Sequence, residues 1–151
     1  MKEIIKLFGG MSQYRELVKT FDCNPVGKPR MTQRDKWADR PIVSRYYAYK
    51  DTLALQRRGW VMQRSGLHIY FCMPMPPSWS KRKTEKMAYS PHMQTPDIDN
   101  LVKAFFDALT LEDKDIWNLQ ATKLWSKLGG IFITLDRNPF IKEIKEITDE
   151  R

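Results

Sequence analysis

In the stretch TPDIDNLVK, residues 95–103, Asp97 and Asp99 stand one residue apart and Lys103 follows four positions after the second. Two carboxylates this close repel each other, and two arrangements relieve the repulsion. A helix N-terminus does so through its free N–H groups and its dipole. A divalent cation does so directly, and hard oxygen ligands select Mg²⁺ or Mn²⁺. Capping by Asp97 or Asp99 and an Asp99–Lys103 pair at i,i+4 are each worth about 0.3–1 kcal/mol, so the motif taken alone is adequately explained as helix stabilisation. A second acidic group, Glu112, Asp113 and Asp115 in LEDKDIW, shifts the balance. If the chain reverses so that these meet Asp97 and Asp99, only a cation makes the gathering tolerable. Metal-assisted phosphodiester cleavage is the chemistry such a site supplies, with Lys103 stabilising transition-state charge.

The elements that must position these groups are partly legible. Ile98, Leu101, Val102, Phe105, Ala108 and Leu109 recur at helical spacing, so a helix over 96–110, opened by Pro96, turns one apolar face to a core. Asp99, Lys103 and Asp107 form its polar stripe, with Asp107 read as a structural partner of Lys103. A strand is predicted over 16–21 and another over GLHIYFCM, where Leu67, Ile69 and Phe71 alternate with His68, Tyr70 and Cys72. Ser44 is a plausible N-cap for a helix through RYYAYKDTLALQRRGW, with Tyr47, Leu53 and Leu55 turned partly inward. IWNLQATKLW and IFITL flank Lys127–Gly130 and predict a hairpin closed by Gly129 and Gly130. The tail NPFIKEIKEITDER reads as a short amphipathic helix or a frayed end. There is no internal repeat, and 151 residues suit one domain. The expected class is α/β (α+β): a small single domain spanning 1–151, its mixed β-sheet packed by helices.

The formal charge of +8 is concentrated. Residues 27–45 carry Lys28, Arg30, Arg34, Lys36, Arg40 and Arg45 against two aspartates, a net of +4; residues 79–86 carry Lys81, Arg82, Lys83 and Lys86 against Glu85, a net of +3. Both segments read as loops, and each holds a tryptophan, Trp37 or Trp79, able to lie against a sugar or base. They are candidate phosphate contacts, the alternative being solvated loops. Trp117 and Trp125 fit a strand and read as core or interface. His68 and His92 lack the company of a zinc or general-base site, although His92 is near enough to the motif to be weighed as a DNA contact. Cys23 and Cys72 read as free thiols rather than a disulfide or zinc pair. No apolar run reaches membrane-spanning length and the N-terminus lacks a signal-peptide pattern, so an intracellular, cytoplasmic protein is expected.

TPDIDNLVKAFFDAL followed by LEDKDI resembles the signature of the RusA family of Holliday junction resolvases, PDxDNLxKxxxDAL and then a D-D-x-Q-[IV] segment. PVGKPRMT at 25–32 and MPPSWSKRKTEKMAYSPHMQTPD add to the likeness, the latter as in phage-type members; the resemblance spans about residues 18–136. It implies that Asp97 and Asp99 are the first two metal-binding aspartates, that Lys103 is the essential lysine, and that Asp113 is the third aspartate. The match departs from the pattern at Asp115, which stands where Gln is usual and competes with Asp113. The resemblance further implies a mixed α/β homodimer making paired symmetrical nicks in four-way DNA junctions with Mg²⁺, for which Mn²⁺ substitutes, in a bacterial cell or a phage or prophage it carries. Two other functions compete: a DxD phosphotransferase or nucleotide-sugar enzyme, disfavoured because those motifs end a hydrophobic strand, and a non-catalytic basic DNA-binding protein whose aspartates only cap a helix.

Overall fold

The computed structural model describes residues 15–109 and 112–136; the predicted tail helix over 138–151 lies outside them. Four strands, β1 (Arg15–Phe21), β2 (Leu67–Pro74), β3 (Leu119–Ser126) and β4 (Gly130–Asp136), form one mixed sheet in the order β1-β4-β2-β3. Among the described residues three α-helices accompany it: α1 (Pro41–Arg57), α2 (Lys81–Met87) and α3 (Ile98–Ala108). The domain is α+β, as expected.

The sheet departs from the predicted hairpin. β3 runs parallel to β2 and β4 antiparallel to it, so β2 lies between the two strands that Gly129 and Gly130 connect. The short link crosses the end of β2, where Met75 N–H donates to the Ser126 carbonyl at 2.9 Å. A glycine turn signal is local, whereas insertion of a strand from far upstream is not. That insertion also makes β2 a central strand covered on both faces. Leu67, Ile69 and Phe71 enter the main core; Tyr70 and Cys72 join Phe132 in a second cluster beneath Leu17, Tyr89 and Leu124. The predicted alternation thus separates two buried faces instead of an inside and an outside.

The main core lies under α1 and α3. Phe105 is fully buried and meets Phe21 and Phe71 edge-on, with centroids 5.6 and 6.3 Å apart. Edge-to-face contact is the preferred aromatic geometry, and it fixes the rotation of α3 about its axis. Of the predicted stripe Leu101, Phe105, Ala108 and Leu109 are buried, joined by Ala104, while Val102 is half-buried and Ile98 at the helix start is 40% exposed. α1 begins at Pro41, ahead of the predicted cap, because proline is preorganised for the first helical turn. Its buried stripe is Val43, Tyr46, Tyr49 and Leu53; Tyr47 and Leu55 point outward, and Ser44 instead bonds the Asp39 side chain. The basic segment 79–86 is also not a loop: Ser80 caps α2 by accepting from Lys83 N–H.

Candidate functional site

Asp97 occupies the N-cap position of α3 with extended backbone angles (φ −66°, ψ 149°), and its carbonyl accepts the Leu101 N–H at 3.1 Å. Its carboxylate makes no capping hydrogen bond and is exposed. Helix capping therefore does not account for this aspartate. Asp99, in the first turn, accepts a hydrogen bond from Lys103 Nζ at 3.0 Å, with both side chains more than half exposed. The hydrogen bond from Lys103 holds the Asp99 carboxyl below its ordinary range, assisted by backbone N–H groups at the helix start. Both carboxylates are thus open to solvent at the positive end of a helix dipole, a donor set suited to a hard divalent cation.

The segment leading into the motif is clamped from two sides. From β3, Lys123 Nζ donates to the carbonyls of Gln94 and Pro96 at 2.6 and 2.8 Å, while His92 N–H donates to the Lys123 carbonyl. From the first basic segment, Lys28 N–H donates to the Asn100 carbonyl at 3.0 Å. A Cβ on Gly27 would lie 2.6 Å from the Pro96 Cβ, so only glycine permits this approach. Lys123 is absent from the residues that spacing singles out; its one signal is a lysine interrupting a strand, LQATKLWS, otherwise free of charge.

Asp107 does not pair with Lys103. It accepts from Lys28 Nζ and from the Tyr46 hydroxyl, each at 2.7 Å, fastening the basic segment and α1 to α3. Burial pushes the Asp107 carboxyl up, but these two donors bring it below its ordinary range. Tyr46, desolvated and donating to that carboxylate, has its own pKa raised. The choice Lys103 makes is consistent with the helix rule that an acid N-terminal to its lysine is the better i,i+4 orientation.

A cleft of about 910 Å³ opens beside the motif, with Met73, Met75 and Trp125 among its walls and Lys28, Arg45 and Asn100 at its edge. His92 is also among the residues that line it. The ring is buried against Trp125, 4.1 Å between centroids, and burial followed by the Lys123 charge lowers its pKa. Its ring packs into the wall of the cleft. Trp79 likewise packs on Trp125 at 4.8 Å and is covered by Lys83, whereas Trp37 is 90% exposed. Trp125 is core as expected, but Trp117 is 59% exposed. Arg30, Arg34, Lys81, Arg82, Lys83 and Lys86 lie along the surface; Lys28 is half engaged by Asp107, and the side chain of Lys36 lies outside what the structure describes.

The second acidic group lies elsewhere in the chain. Asp113 and Asp115 form a 3-10 turn beyond the C-terminal end of α3, followed by Trp117, whose N–H donates to the Arg64 carbonyl just ahead of β2. Asp97 stands at the other end of a helix about 16 Å long. Among the described residues no three His, Cys, Asp or Glu side chains gather closely enough to hold a metal ion; the Asp113 side chain is outside that description.

No curated protein matches the sequence. A family model does: endodeoxyribonuclease RusA, over residues 22–136. The chain belongs to the RusA family. The matched region runs from the end of β1 to the end of β4 and takes in both basic segments, the DxD motif and the second acidic turn. RusA membership makes the protein an endodeoxyribonuclease acting on Holliday junctions, and it disposes of the nucleotide-sugar reading. Among the described residues no helix is long and apolar enough to cross a membrane.

Proposed function

We propose that this RusA-family chain resolves four-way junctions by Mg²⁺-dependent hydrolysis, in the service of DNA recombination and repair, and that Mn²⁺ substitutes. The observation that carries the reading is Asp97: a carboxylate at a helix N-cap that caps nothing and stands exposed two residues from Asp99, whose carboxyl Lys103 holds below its ordinary range. In this reading Asp97 and Asp99 hold the cation, and Asp113, with Asp115 as the alternative, supplies the third oxygen. Bound Mg²⁺ would supply Lewis-acid stabilisation of phosphoryl charge and a more acidic water. Lys103 keeps Asp99 ionised and has its ammonium one turn from the helix start, where it can meet charge developing on the scissile phosphate. Lys123 and Gly27 act as positioning residues, fixing the backbone that carries both aspartates.

The surface cations Arg30, Arg34, Lys81, Arg82, Lys83 and Lys86, with Lys28 and Lys36, bind the DNA backbone, which sets affinity without reading sequence. A homodimer is part of the proposal, because a two-fold pair presents two sites to a two-fold substrate. Pairing of copies is also one way to bring the acidic turn of one chain to the α3 N-terminus of another, since the two lie at opposite ends of α3 within a chain. The protein acts in the cytoplasm of a bacterial cell, whether encoded by the host or by a phage. The test is incubation with a synthetic four-way junction and with linear duplex of the same sequence, in Mg²⁺ or in chelator. Paired nicks in the junction only with metal are expected; binding without cleavage under every metal condition would leave the non-catalytic DNA-binding reading in its place.

A further inference from the structure

Trp37 is the most exposed large hydrophobic residue among those described, at 90%, although an indole gains more from burial than almost any other side chain. It is not on a slack loop. Trp37 N–H and Ala38 N–H both donate to the Arg34 carbonyl, at 2.9 and 2.8 Å, closing the 3-10 turn Gln33–Lys36. The Arg40 guanidinium then forks onto the Asp35 carboxylate and reaches the Arg30 carbonyl at 3.0 Å, drawing the base of the loop together. The backbone that carries the indole is therefore braced, and the ring stands in solvent.

Its surroundings select a partner. Arg34 lies in the turn, Arg30 precedes it by three residues and both are exposed, and with Asp35 paired to Arg40 the loop carries net positive charge. The loop also joins Pro29 to Ile42, two residues of the cleft wall beside the DxD motif, so both its ends are anchored at that cleft. An exposed aromatic among arginines suits a nucleic acid that offers both phosphates and an unstacked base. A continuous duplex offers no free base face, because each base already stacks on its neighbours. A branch point does.

We propose that Trp37 is a stacking wedge: its indole enters the open centre of a branched DNA and stacks on a base exposed there, while Arg30 and Arg34 hold the flanking phosphates. The inference rests on the nuclease reading above and adds to it the source of preference for branched over linear DNA. Stacking of one base on an aromatic side chain corresponds to roughly ten- to a hundredfold in affinity.

The test measures binding of a four-way junction and of matching linear duplex in chelator, with 2-aminopurine placed next to the branch, for wild type, Trp37→Ala and Trp37→Phe. Trp37→Ala should lose about ten- to a hundredfold in junction affinity, keep its duplex affinity, and abolish the 2-aminopurine signal; Trp37→Phe should recover most of both. An alanine variant that keeps full junction preference overturns the wedge and leaves the nuclease reading intact. A change in sedimentation mass of Trp37→Ala would make the residue part of an interface and also overturn it. A wild type that shows no preference for the junction removes the wedge and the junction-resolving reading together.

Discussion

Asp97 and Asp99 are held differently, and the difference divides their roles. Asp99 is kept ionised by Lys103, while Asp97 has no capping bond to satisfy it. The motif, its lysine and the i,i+4 pair are legible in the sequence because each is a matter of spacing on one helix. The Asp107–Lys28 pair is not, since the partners are far apart in sequence and meet only through packing of the basic segment and α1 against α3. A pH prediction belongs to another aspartate. The hydrogen bond from Arg40, with help from Thr32, lowers the Asp35 carboxyl from 3.8 to about 2. A folded pKa below the unfolded one stabilises above about pH 4 and loses that contribution as pH falls toward 2. Wild type should therefore melt above Asp35→Asn at neutral pH, and the gap should close between about pH 4 and pH 2. A gap independent of pH would mean that the fork does not stabilise the loop.

At the scale of elements, the sequence predicts α3 almost to its ends because its apolar stripe is strong, and it misplaces β4 because strand order is set by nonlocal pairing. Phe105 is the anchor of the helix. Phe105→Ala should cost about 3–5 kcal/mol in denaturant unfolding, the range for a fully buried aromatic. Positioning of the motif is separable from stability. Lys123→Met removes the two bonds to Gln94 and Pro96, and Gly27→Ala forces the basic segment off Pro96. Each should reduce the cleavage rate on the junction by roughly tenfold or more, as expected when reacting groups lose their placement by about 1 Å. Thermal midpoints within a few degrees of wild type would accompany that loss; an unchanged rate would show that the clamp does not serve the site.

For the whole molecule, nearly all the net charge sits on two segments upstream of the motif, one a braced turn and the other α2. Their exposure makes the electrostatic part of binding measurable. Replacing Lys81, Arg82, Lys83 and Lys86 together by Ala should weaken junction and duplex alike. It should also lower the slope of log affinity against log salt, by about 0.9 for each phosphate that is no longer neutralised. Weakening confined to the junction would assign α2 to shape recognition instead. The central claim, that the two aspartates do chemistry and the basic segments do binding, is tested most directly by Asp99→Asn assayed for cutting and for binding on the same four-way junction. Cleavage in Mg²⁺ should fall by at least about a hundredfold, on the scale of losing a group needed in the transition state, while affinity in chelator stays equal or rises with one anionic charge removed. A variant that cuts at the wild-type rate, or one that loses binding in step with cutting, would contradict it.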